Sequence, residues 1–337
     1  LKARKNNKEL VFYNDAEYEN WKKENDNGKG WKIKYYKGLG TSTSKEFKEY
    51  FKNKKIITFD YTENCNDHID MAFNKKRADD RKEWLSKYDR DDRLDNTSEM
   101  ASYTNYIKKN LIHFSKYDNE RSIPHLMDGL KISTRKILYS AFKKNLTNEI
   151  KVSQFSGYVS EHSNYHHGEM SLNGAIVNLA QDFVGSNNIN LFQPNGQFGT
   201  RLLGGADSAS ERYICTKLSD ITRKIFNKED DNILDYLDDD GKLVEPRFYV
   251  PLIPMILVNG GKGIGTGFST DIPCYNKDEL IKFLIDKLEN KELSKHLKPY
   301  YNNFKGTISK IDGEKNKWLV KGVYEKDLKK NKIMVKE

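Results

Sequence analysis

Hydrophobic and polar positions in the first part of the chain predict a strand, a turn and a helix. Residues 31–36 (WKIKYY) form a short apolar run typical of a strand, and residues 37–42 (KGLGTS) predict a tight turn. Residues 43–52 then predict a helix, with Ser44 as its candidate N-cap. Residues 74–99 intersperse basic and acidic side chains, which is typical of a solvated helical linker without further function.

A more apolar, helical pattern begins near residue 122. Proline is favoured in the first turn of a helix, so Ile123 and Pro124 indicate a helix start. The apolar residues that follow at roughly helical spacing are Met127, Leu130, Ile137, Leu138 and Phe142. A second helix is predicted from Glu169 to Phe183, and the glycine- and asparagine-rich residues 185–205 predict turns.

The last third of the chain predicts more strands. Residues 248–258 (FYVPLIPMILV) are strand-like, and a helix or strand before them is expected to carry Tyr213. A helix is predicted at 279–288, followed by two alternating segments, 306–311 (GTISKI) and 317–324 (KWLVKGVY), that resemble strands of an antiparallel sheet. The pattern as a whole predicts a multidomain α+β fold.

The amino-acid composition suggests that the protein binds a polyanion. Apolar residues make up 36% and charged residues 32% of the 337 residues, which is too polar for one compact globule and favours exposed elements between smaller cores. The net charge of +9 favours nucleic acid over a membrane surface as the partner, although it is also compatible with plain solubility.

The cysteines and the chain start exclude several protein classes. Cys65, Cys215 and Cys274 lie far apart without a C-x-x-C pair, so we expect neither a zinc site nor a disulfide framework, and an intracellular location. No run of about 18 apolar residues occurs, so no membrane span is expected. The first ten residues lack an apolar signal core, and the initial leucine suggests a fragment.

Tyr213 follows Arg212 in the segment DSASERYICT and is a candidate nucleophile. A phenol needs activation to attack, because its ordinary pKa is about 10. A neighbouring guanidinium could lower that pKa and hold a phosphate. Neighbours on a strand point to opposite faces, so joint action would require a turn. The alternative is that Tyr213 is structural, as most tyrosines are.

Two further groups of residues could contact phosphates. His166 and His167 precede a helix without further metal ligands nearby, so they suggest a general base or a phosphate contact, or simply loop residues. Lys131, Arg135 and Lys136 lie on a predicted helix and form a basic face suited to DNA, or to solvent.

The glycine-rich segment GGKGIGTG at 260–267 invites a nucleotide-loop interpretation. It matches neither G-x-x-x-x-G-K-[ST] nor G-x-G-x-x-G, so that interpretation fails on spacing. Its glycines could instead let the backbone approach DNA while Ile264 acts as a wedge that unstacks a base step. The alternative is a glycine-rich turn with a core isoleucine.

Five long motifs resemble DNA topoisomerase II of the eukaryotic kind (type IIA). They are YYKGLGTSTSKE (35–46), DNERSIPHLMDGLKISTRKIL (118–138), YHHGEMSL (165–172), NLAQDFVGSNNINLFQPNGQFGTRLLGGADSASERYI (178–214) and EPRFYVPLIPMILVNGGKGIGTGFST (245–270). They occur in the family's order and spacing over nearly the whole chain. In bacterial gyrase the KGLGTS-like segment is on a different polypeptide from the Arg-Tyr pair, so its presence here favours the eukaryotic or large-virus branch.

The resemblance implies roles for individual residues. Tyr213 matches the tyrosine that attacks DNA and becomes a 5′-phosphotyrosine, and Arg212, Arg135 and His167 match the cluster around the scissile phosphate. Ile264 matches the isoleucine wedged between base pairs. Lys37 matches the end of the metal-binding TOPRIM domain. The expected DNA-binding residues are Ile264, Lys37, Lys131, Lys136, His166, Gln197 and Asn259. The sequence departs from the family at position 211, where glutamate replaces the usual proline.

The resemblance also implies an organisation and a reaction. Residues 1–60 resemble the C-terminal part of a TOPRIM domain, 61–112 a charged helical linker, 113–252 a winged-helix domain and 253–337 the beginning of a tower domain. The implied activity is ATP-dependent type II DNA topoisomerase. A homodimer would cut both strands of double-stranded DNA. The location implied by the resemblance is the nucleus, or the host cell or viral factory if the protein is viral.

Mg²⁺ and ATP are the implied cofactors. We expect the Mg²⁺ ligands and the ATPase module to lie upstream of Leu1, the exit-gate coiled coil to lie beyond the C-terminal end, and no metal site in this chain. The fragment alone is therefore not expected to cleave DNA. Two alternatives stay open: a non-catalytic winged-helix module that binds and bends DNA, and a nucleotide-binding protein built on residues 260–267.

Overall fold

The computed structural model describes residues 1–36, 40–95, 98–239, 241–291, 297–314 and 317–337. The chain forms two compact units. One comprises residues 1–119 with 265–268, and the other comprises residues 120–264 with 269–337. Helices and strands occur in both units, which confirms the predicted α+β class.

The first unit begins with a three-stranded antiparallel sheet and continues with short helices. Its strands are β1 (Lys2–Lys5), β2 (Lys8–Val11), β3 (Lys32–Lys34), β4 (Thr58–Asp60) and β5 (Met100–Ser102), and β4 pairs with β5 in parallel. Its helices are α1 (Asp15–Glu24), α2 (Ser44–Lys52), α3 (Cys65–Phe73), α4 (Ala78–Ser86), α5 (Tyr103–Tyr106) and α6 (Ile112–Ser122), the last of which runs into the second unit.

A buried glutamate holds β3 and α2 together. Glu46 accepts hydrogen bonds from the Lys34 ammonium at 2.8 and 3.1 Å, from the Thr43 amide at 2.7 Å and from the Tyr36 hydroxyl. Thr43 in turn caps the amide of Glu46, so Thr43 is the N-cap of α2. The predicted helix is confirmed, but its predicted N-cap, Ser44, is wrong by one residue.

The second unit places helices around one core and adds hairpins. Its helices are α7 (Ile132–Lys144), α8 (Val152–His162), α9 (Glu169–Ala180), α10 (Thr222–Ile225), α11 (Met255–Val258) and α12 (Lys277–Leu288). Its strands are β6 (Ile150–Lys151), β7 (Cys215–Thr216), β8 (Tyr236–Asp239), β9 (Lys242–Pro246), β10 (Gly261–Ile264), β11 (Ser269–Ile272), β12 (Thr307–Lys310), β13 (Trp318–Lys321), β14 (Tyr324–Asp327) and β15 (Lys332–Val335).

These strands pair as two-stranded antiparallel ladders: β6 with β7, β8 with β9, β10 with β11, β12 with β13, and β14 with β15. The antiparallel strands predicted at 306–311 and 317–324 are therefore confirmed. Helix α12 begins two residues before its predicted start, and α9 ends three residues before its predicted end.

The core of the second unit fixes the elements that carry the predicted site. Fully buried side chains come from α7 (Ile137), α8 (Phe155), α9 (Ile176) and the segments that hold Phe192 and Ile214. Close packing of large apolar side chains restricts the movement of the backbone segments that bear them. Polar residues next to these core positions are thereby held at defined places.

Proline accounts for two predictions that were wrong. Helix α6 ends at Ser122, and Pro124 lies beyond that end because a proline disfavours helical conformation in the residue before it. Pro124 therefore follows one helix and does not start the next, which begins at Ile132. The strand expected at 248–258 does not form because Pro251 and Pro254 have no amide to donate, and only Met255–Val258 is helical.

The charged stretch at 74–99 is helical over only part of its length. A single 3₁₀ turn (Lys75–Arg77) leads into α4, and the described residues after Ser86 are not helical up to residue 99. Aspartates compete with helix formation there, since the Asp89 carboxylate accepts the Asp91 amide at 2.9 Å. The solvated character of this stretch was predicted correctly, but the predicted helix was longer than the helix that forms.

Candidate active site and DNA interface

Tyr213 lies on a tight turn, and its side chain is 77% exposed. Its amide donates to the Ser210 carbonyl at 2.9 Å, which closes the turn. Arg212 is also exposed, whereas the next residue, Ile214, is 2% exposed and belongs to the core. The prediction that a helix or strand carries Tyr213 is therefore wrong, because residues 211–213 form a turn. Both polar side chains face solvent next to the buried Ile214.

The first turn of α8 fixes the backbone of the Tyr213 turn. The amides at a helix N-terminus have no partner inside the helix. Here the Val152 amide donates to the Ile214 carbonyl at 3.0 Å, and the Ser153 amide donates to the Glu211 carbonyl at 3.1 Å. Glu211 contributes a backbone carbonyl, a group that every residue has, so the position tolerates glutamate in place of proline.

Gln197 belongs to the segment that pairs with the chain after Tyr213. Asn195 and Cys215 exchange two backbone hydrogen bonds, at 2.9 and 3.1 Å. The Gln197 carbonyl accepts the Ala209 amide at 2.9 Å, and its exposed side chain accepts the Gly199 amide at 2.9 Å. The structure thus joins Gln197 to the strand and turn that carry the candidate nucleophile.

The two histidines lie in the loop between α8 and α9 and have different surroundings. His167 is exposed, and its ring packs edge-on against Tyr165 with centroids 5.4 Å apart. His166 Nε2 lies 3.3 Å from the Asp239 carboxylate. The backbone carbonyl of Asp239 also accepts a hydrogen bond from the Asn164 side-chain amide. The hairpin β8–β9 therefore holds His166, while His167 faces solvent.

Arg135 is buried in an ion pair and is only 4% exposed. Its Nε donates to Asp128 Oδ2 at 2.7 Å and its Nη2 to Asp128 Oδ1 at 3.0 Å, and Nη2 also donates to the Leu130 carbonyl at 3.0 Å. The bidentate pair satisfies a charge that would otherwise be costly to bury.

Lys136 is buried as well and does not form the predicted exposed basic face. Its ammonium donates to the Glu245 carboxylate at 2.7 Å and to the Ser163 carbonyl at 2.6 Å. Burial raises the pKa of the Glu245 carboxyl above its ordinary value, and the charge of Lys136 opposes that rise. Lys131, by contrast, is partly exposed at the start of α7, so only Lys131 of the two lysines retains a surface position.

Ile264 ends strand β10 and is 75% exposed, a high value for an isoleucine. The neighbouring Gly263 is buried, and a Cβ there would lie 2.3 Å from the Ser122 carbonyl. This glycine is therefore required by packing within the chain. Residues 261–272 form a hairpin, whereas phosphate loops connect a strand to a helix, so the nucleotide-loop alternative loses its structural basis.

Asn259 was predicted to contact DNA, but its side chain is bonded within the chain. Both polar atoms of the Asn259 side chain bond the backbone of Ile189, at 2.7 and 2.9 Å, so this amide is committed within the chain. Lys37 lies outside the described residues. Sequence reasoning missed Asp128, Glu245 and Asp239, whose carboxylates pair with Arg135, Lys136 and His166.

Neither a metal cluster nor a membrane span occurs in the described part of the chain. Those residues contain no group of three or more His, Cys, Asp or Glu side chains placed to hold a metal ion. Among the same residues, no helix is both long enough and apolar enough to cross a membrane.

Two family models match the chain along almost its whole length. Residues 121–337, well over half of the chain, match the model for the A subunit of DNA gyrase/topoisomerase IV. Residues 1–119 match the model described as "C-terminal associated domain of TOPRIM".

Individual proteins are similar over the same length. The chain is 53% identical to "DNA topoisomerase 2" of Plasmodium falciparum over 312 residues, which cover 91% of the chain and 22% of that protein. It is 49% identical to human "DNA topoisomerase 2-alpha" over 337 residues, which cover 96% of the chain and 22% of that protein. The chain thus spans about a fifth of the length of these relatives.

One solved structure shows the same fold. The crystal structure of the Plasmodium falciparum topoisomerase II DNA-binding, cleavage and re-ligation domain superposes with a TM-score of 0.82 at 50% identity, covering 96% of this chain and 44% of that one. The family indicated by the five motifs is confirmed by these matches. The chain belongs to the type II DNA topoisomerases of the eukaryotic kind, within the wider DNA gyrase/topoisomerase IV family.

Proposed function

We propose that this chain is the DNA cleavage and rejoining core of an ATP-dependent type II DNA topoisomerase, with Tyr213 as the nucleophile. The observation that carries the proposal is the exposed Tyr213 hydroxyl on a turn whose backbone is held by α8 and whose next residue, Ile214, is buried. A nucleophile must reach the substrate and be held in place at the same time, because positioning supplies much of the rate of phosphoryl transfer. The Tyr213 turn meets both requirements.

The proposed reaction is a transesterification. The phenolic oxygen of Tyr213 forms a bond to a backbone phosphorus, and the bond from that phosphorus to the 3′ oxygen breaks. The phenol loses its proton and the leaving 3′ oxygen gains one, so atoms and charge balance. Because one phosphodiester replaces another, the covalent intermediate retains the energy of the broken link, and the reverse reaction rejoins the strand.

Three side chains are proposed to stabilise the charge on the phosphate. Arg212 is exposed next to Tyr213, His167 is exposed in the loop before α9, and Arg135 is held by Asp128 at the start of α7. Such donors stabilise the transition state when they are placed before the reaction begins. We propose Gln197, Lys131 and His166 as further DNA contacts, and we propose no DNA contact for the committed side chains of Lys136 and Asn259.

DNA bending is proposed to depend on Ile264. An isoleucine that is 75% exposed at the end of a hairpin is available to enter between base pairs. Apolar wedges of this kind offset the cost of unstacking, a few kcal/mol per base step, and kink the duplex.

The finer features of the activity are proposals that rest on the family. A homodimer would place two Tyr213 residues on opposite strands of double-stranded DNA, in the nucleus of a eukaryotic cell. Residues 113–252 are proposed as the winged-helix domain, 253–337 as the beginning of the tower, 1–60 as the TOPRIM-derived part and 61–112 as the linker.

We propose that Mg²⁺ and ATP support the activity. The residues that the structure describes do not fit a Mg²⁺ site, since no cluster of three metal-ligating side chains occurs among them. No step of the proposed reaction is therefore assigned to the ion.

The test uses the protein as its gene encodes it, with Mg²⁺ and a duplex labelled at the 3′ end of one strand. Attack on the 5′ phosphate should leave the labelled strand attached to protein in a denaturing gel. Tyr213→Phe should abolish this adduct and keep DNA affinity, whereas Tyr324→Phe, at a tyrosine that is 58% exposed in a C-terminal hairpin, should leave it unchanged. An adduct that survives Tyr213→Phe would overturn the assignment, and binding without any adduct in the unaltered protein would favour the non-catalytic bending module.

A further inference from the structure

Asp128 is fully buried, with 0% of its surface exposed, although it is a charged residue. Its carboxylate forms a bidentate ion pair with Arg135, at 2.7 and 3.0 Å. We propose that Asp128 is a positioning residue for DNA cleavage, which aims Arg135 at the scissile phosphate. This inference rests on the proposed function, because it requires Arg135 to contact the phosphate.

The Asp128 carboxylate is held from four directions. Oδ1 accepts from Arg135 Nη2 and from the Leu130 amide at 2.9 Å, and Oδ2 accepts from Arg135 Nε and from the Tyr249 amide at 3.0 Å. A carboxylate can accept about four hydrogen bonds. Both oxygens are therefore saturated, and the carboxylate has no freedom to rotate away from the guanidinium.

The loop that carries Asp128 is fixed as firmly as its side chain. The His125 amide donates to the Leu130 carbonyl at 2.9 Å, and the Gly129 amide donates to the His125 carbonyl at 2.8 Å. Gly129 has φ +72°, and a Cβ there would lie 2.8 Å from the backbone of Ile256. Only glycine suits this position, and the close approach locks the loop against the segment that leads into strand β10.

Asp128 and Leu130 do not use the two Nη1 donors of Arg135, whose side chain is 5% exposed. Arginine has five N–H donors in a rigid plane. The Nε donor and both Nη2 donors are committed to Asp128 and Leu130, while Nη1 has no hydrogen-bond or ion-pair partner within the described ranges of the chain. The orientation of the plane is set by the two Asp128 contacts, so the direction of the two Nη1 donors is set as well.

The role is one of placement more than of charge. Asp128 offsets the charge of Arg135 at a distance of 2.7 Å, so the pair adds little long-range attraction for DNA. It offers instead two donors whose orientation is fixed before DNA arrives, which avoids the entropic cost of ordering a long side chain. We therefore expect loss of Asp128 to slow cleavage and to leave DNA affinity nearly unchanged.

The experiment is a double-mutant cycle in the protein as its gene encodes it, with Asp128→Asn, Arg135→Ala and the double variant. The rate of covalent adduct formation is measured in a single turnover at saturating DNA and Mg²⁺. Misplacement of a reacting group by about 1 Å costs on the order of 100-fold in rate, so Asp128→Asn should slow cleavage by about 10- to 100-fold. In the Arg135→Ala background the same change should slow it less than about threefold, because the group it positions is absent.

A matched control is Asp231→Asn. Asp231 forms a bidentate pair with Arg223 in the same unit, at 2.9 and 3.2 Å, and this pair has no place in the proposed reaction. The control should cut DNA at the rate of the unaltered protein. Multiplicative effects of Asp128→Asn and Arg135→Ala would overturn the inference, since they would show that Asp128 does not act through Arg135.

A second variant covers the case that Asp128→Asn does not fold. Arg135→Lys keeps the charge and the pairing with Asp128 but cannot form the bidentate plane. A loss of rate close to that of Arg135→Ala supports placement, and a near-normal rate overturns it. An adduct that still forms with Tyr213→Phe would refute the proposed function. If Tyr213→Phe abolishes the adduct but the Asp128 and Arg135 variants cut DNA at the normal rate, the proposed function stands and only this inference is refuted.

Discussion

Replacing Ile264 by alanine should reduce DNA bending with little cost to folding. The side chain is 75% exposed, so its truncation should change the free energy of unfolding by less than about 0.5 kcal/mol. Burial of a whole isoleucine side chain is worth about 1.5–3 kcal/mol, so insertion of its exposed three quarters between base pairs is worth about 1–2 kcal/mol. With about 1.4 kcal/mol corresponding to tenfold, the equilibrium between bent and straight DNA should shift by about 5- to 30-fold.

The assay is energy transfer between dyes at the two ends of a short duplex, with the protein saturating and the salt concentration fixed. Bound but straight DNA should accumulate with Ile264→Ala, and adduct formation should fall in proportion. Ile333→Ala is the matched control, because Ile333 is 69% exposed on a hairpin that no proposed DNA contact uses. An unchanged bend with Ile264→Ala would refute the wedge and leave Ile264 as a turn residue.

Three further outcomes follow from charge and burial. DNA affinity should fall linearly on a log–log plot against salt, with a slope of about −0.9 per phosphate contact, and a flat anisotropy titration would contradict the basic interface. Lys136→Ala should lower the free energy of unfolding in urea by about 3–5 kcal/mol by leaving Glu245 buried without its partner, while the salt slope stays unchanged; a reduced slope with intact stability would restore Lys136 to the surface. Hydrogen bonds from Lys34, above all, lower the pKa of Glu46, so its stabilising contribution is present above the unfolded pKa of about 4.3 and is lost as the pH falls. Thermal unfolding between pH 7 and pH 3 should therefore depend less on pH in Glu46→Gln than in the exposed control Glu49→Gln, and equal dependence would contradict the assignment.

Local sequence was sufficient where the structure depends on local interactions. Helix α9 and the hairpin β12–β13 were predicted from periodicity, because that signal lies in neighbouring residues. The prediction from Pro124 was wrong because a proline can follow the end of a helix as well as occupy its first turn. Local sequence does not distinguish these two positions. A helix or strand was expected at Tyr213, but the chain forms a turn there. That turn is anchored by amides of α8, which lie some sixty residues earlier, so local sequence could not reveal the contact.

The sequence by itself determined the family, the α+β class and the choice of Tyr213 as candidate nucleophile, because long motifs in order carry this information without coordinates. Only the tertiary structure decided which basic residues are paired with carboxylates inside the chain. Lys136 is paired with Glu245, 109 residues away, and Asn259 with the backbone of Ile189, 70 residues away. A helical pattern indicates on which face of a helix a lysine lies. It does not show whether a carboxylate that is distant in the sequence will pack against that lysine. Burial of a charge depends on that partner, so the exposed and the committed side chains of one helix can be told apart only after the chain has folded.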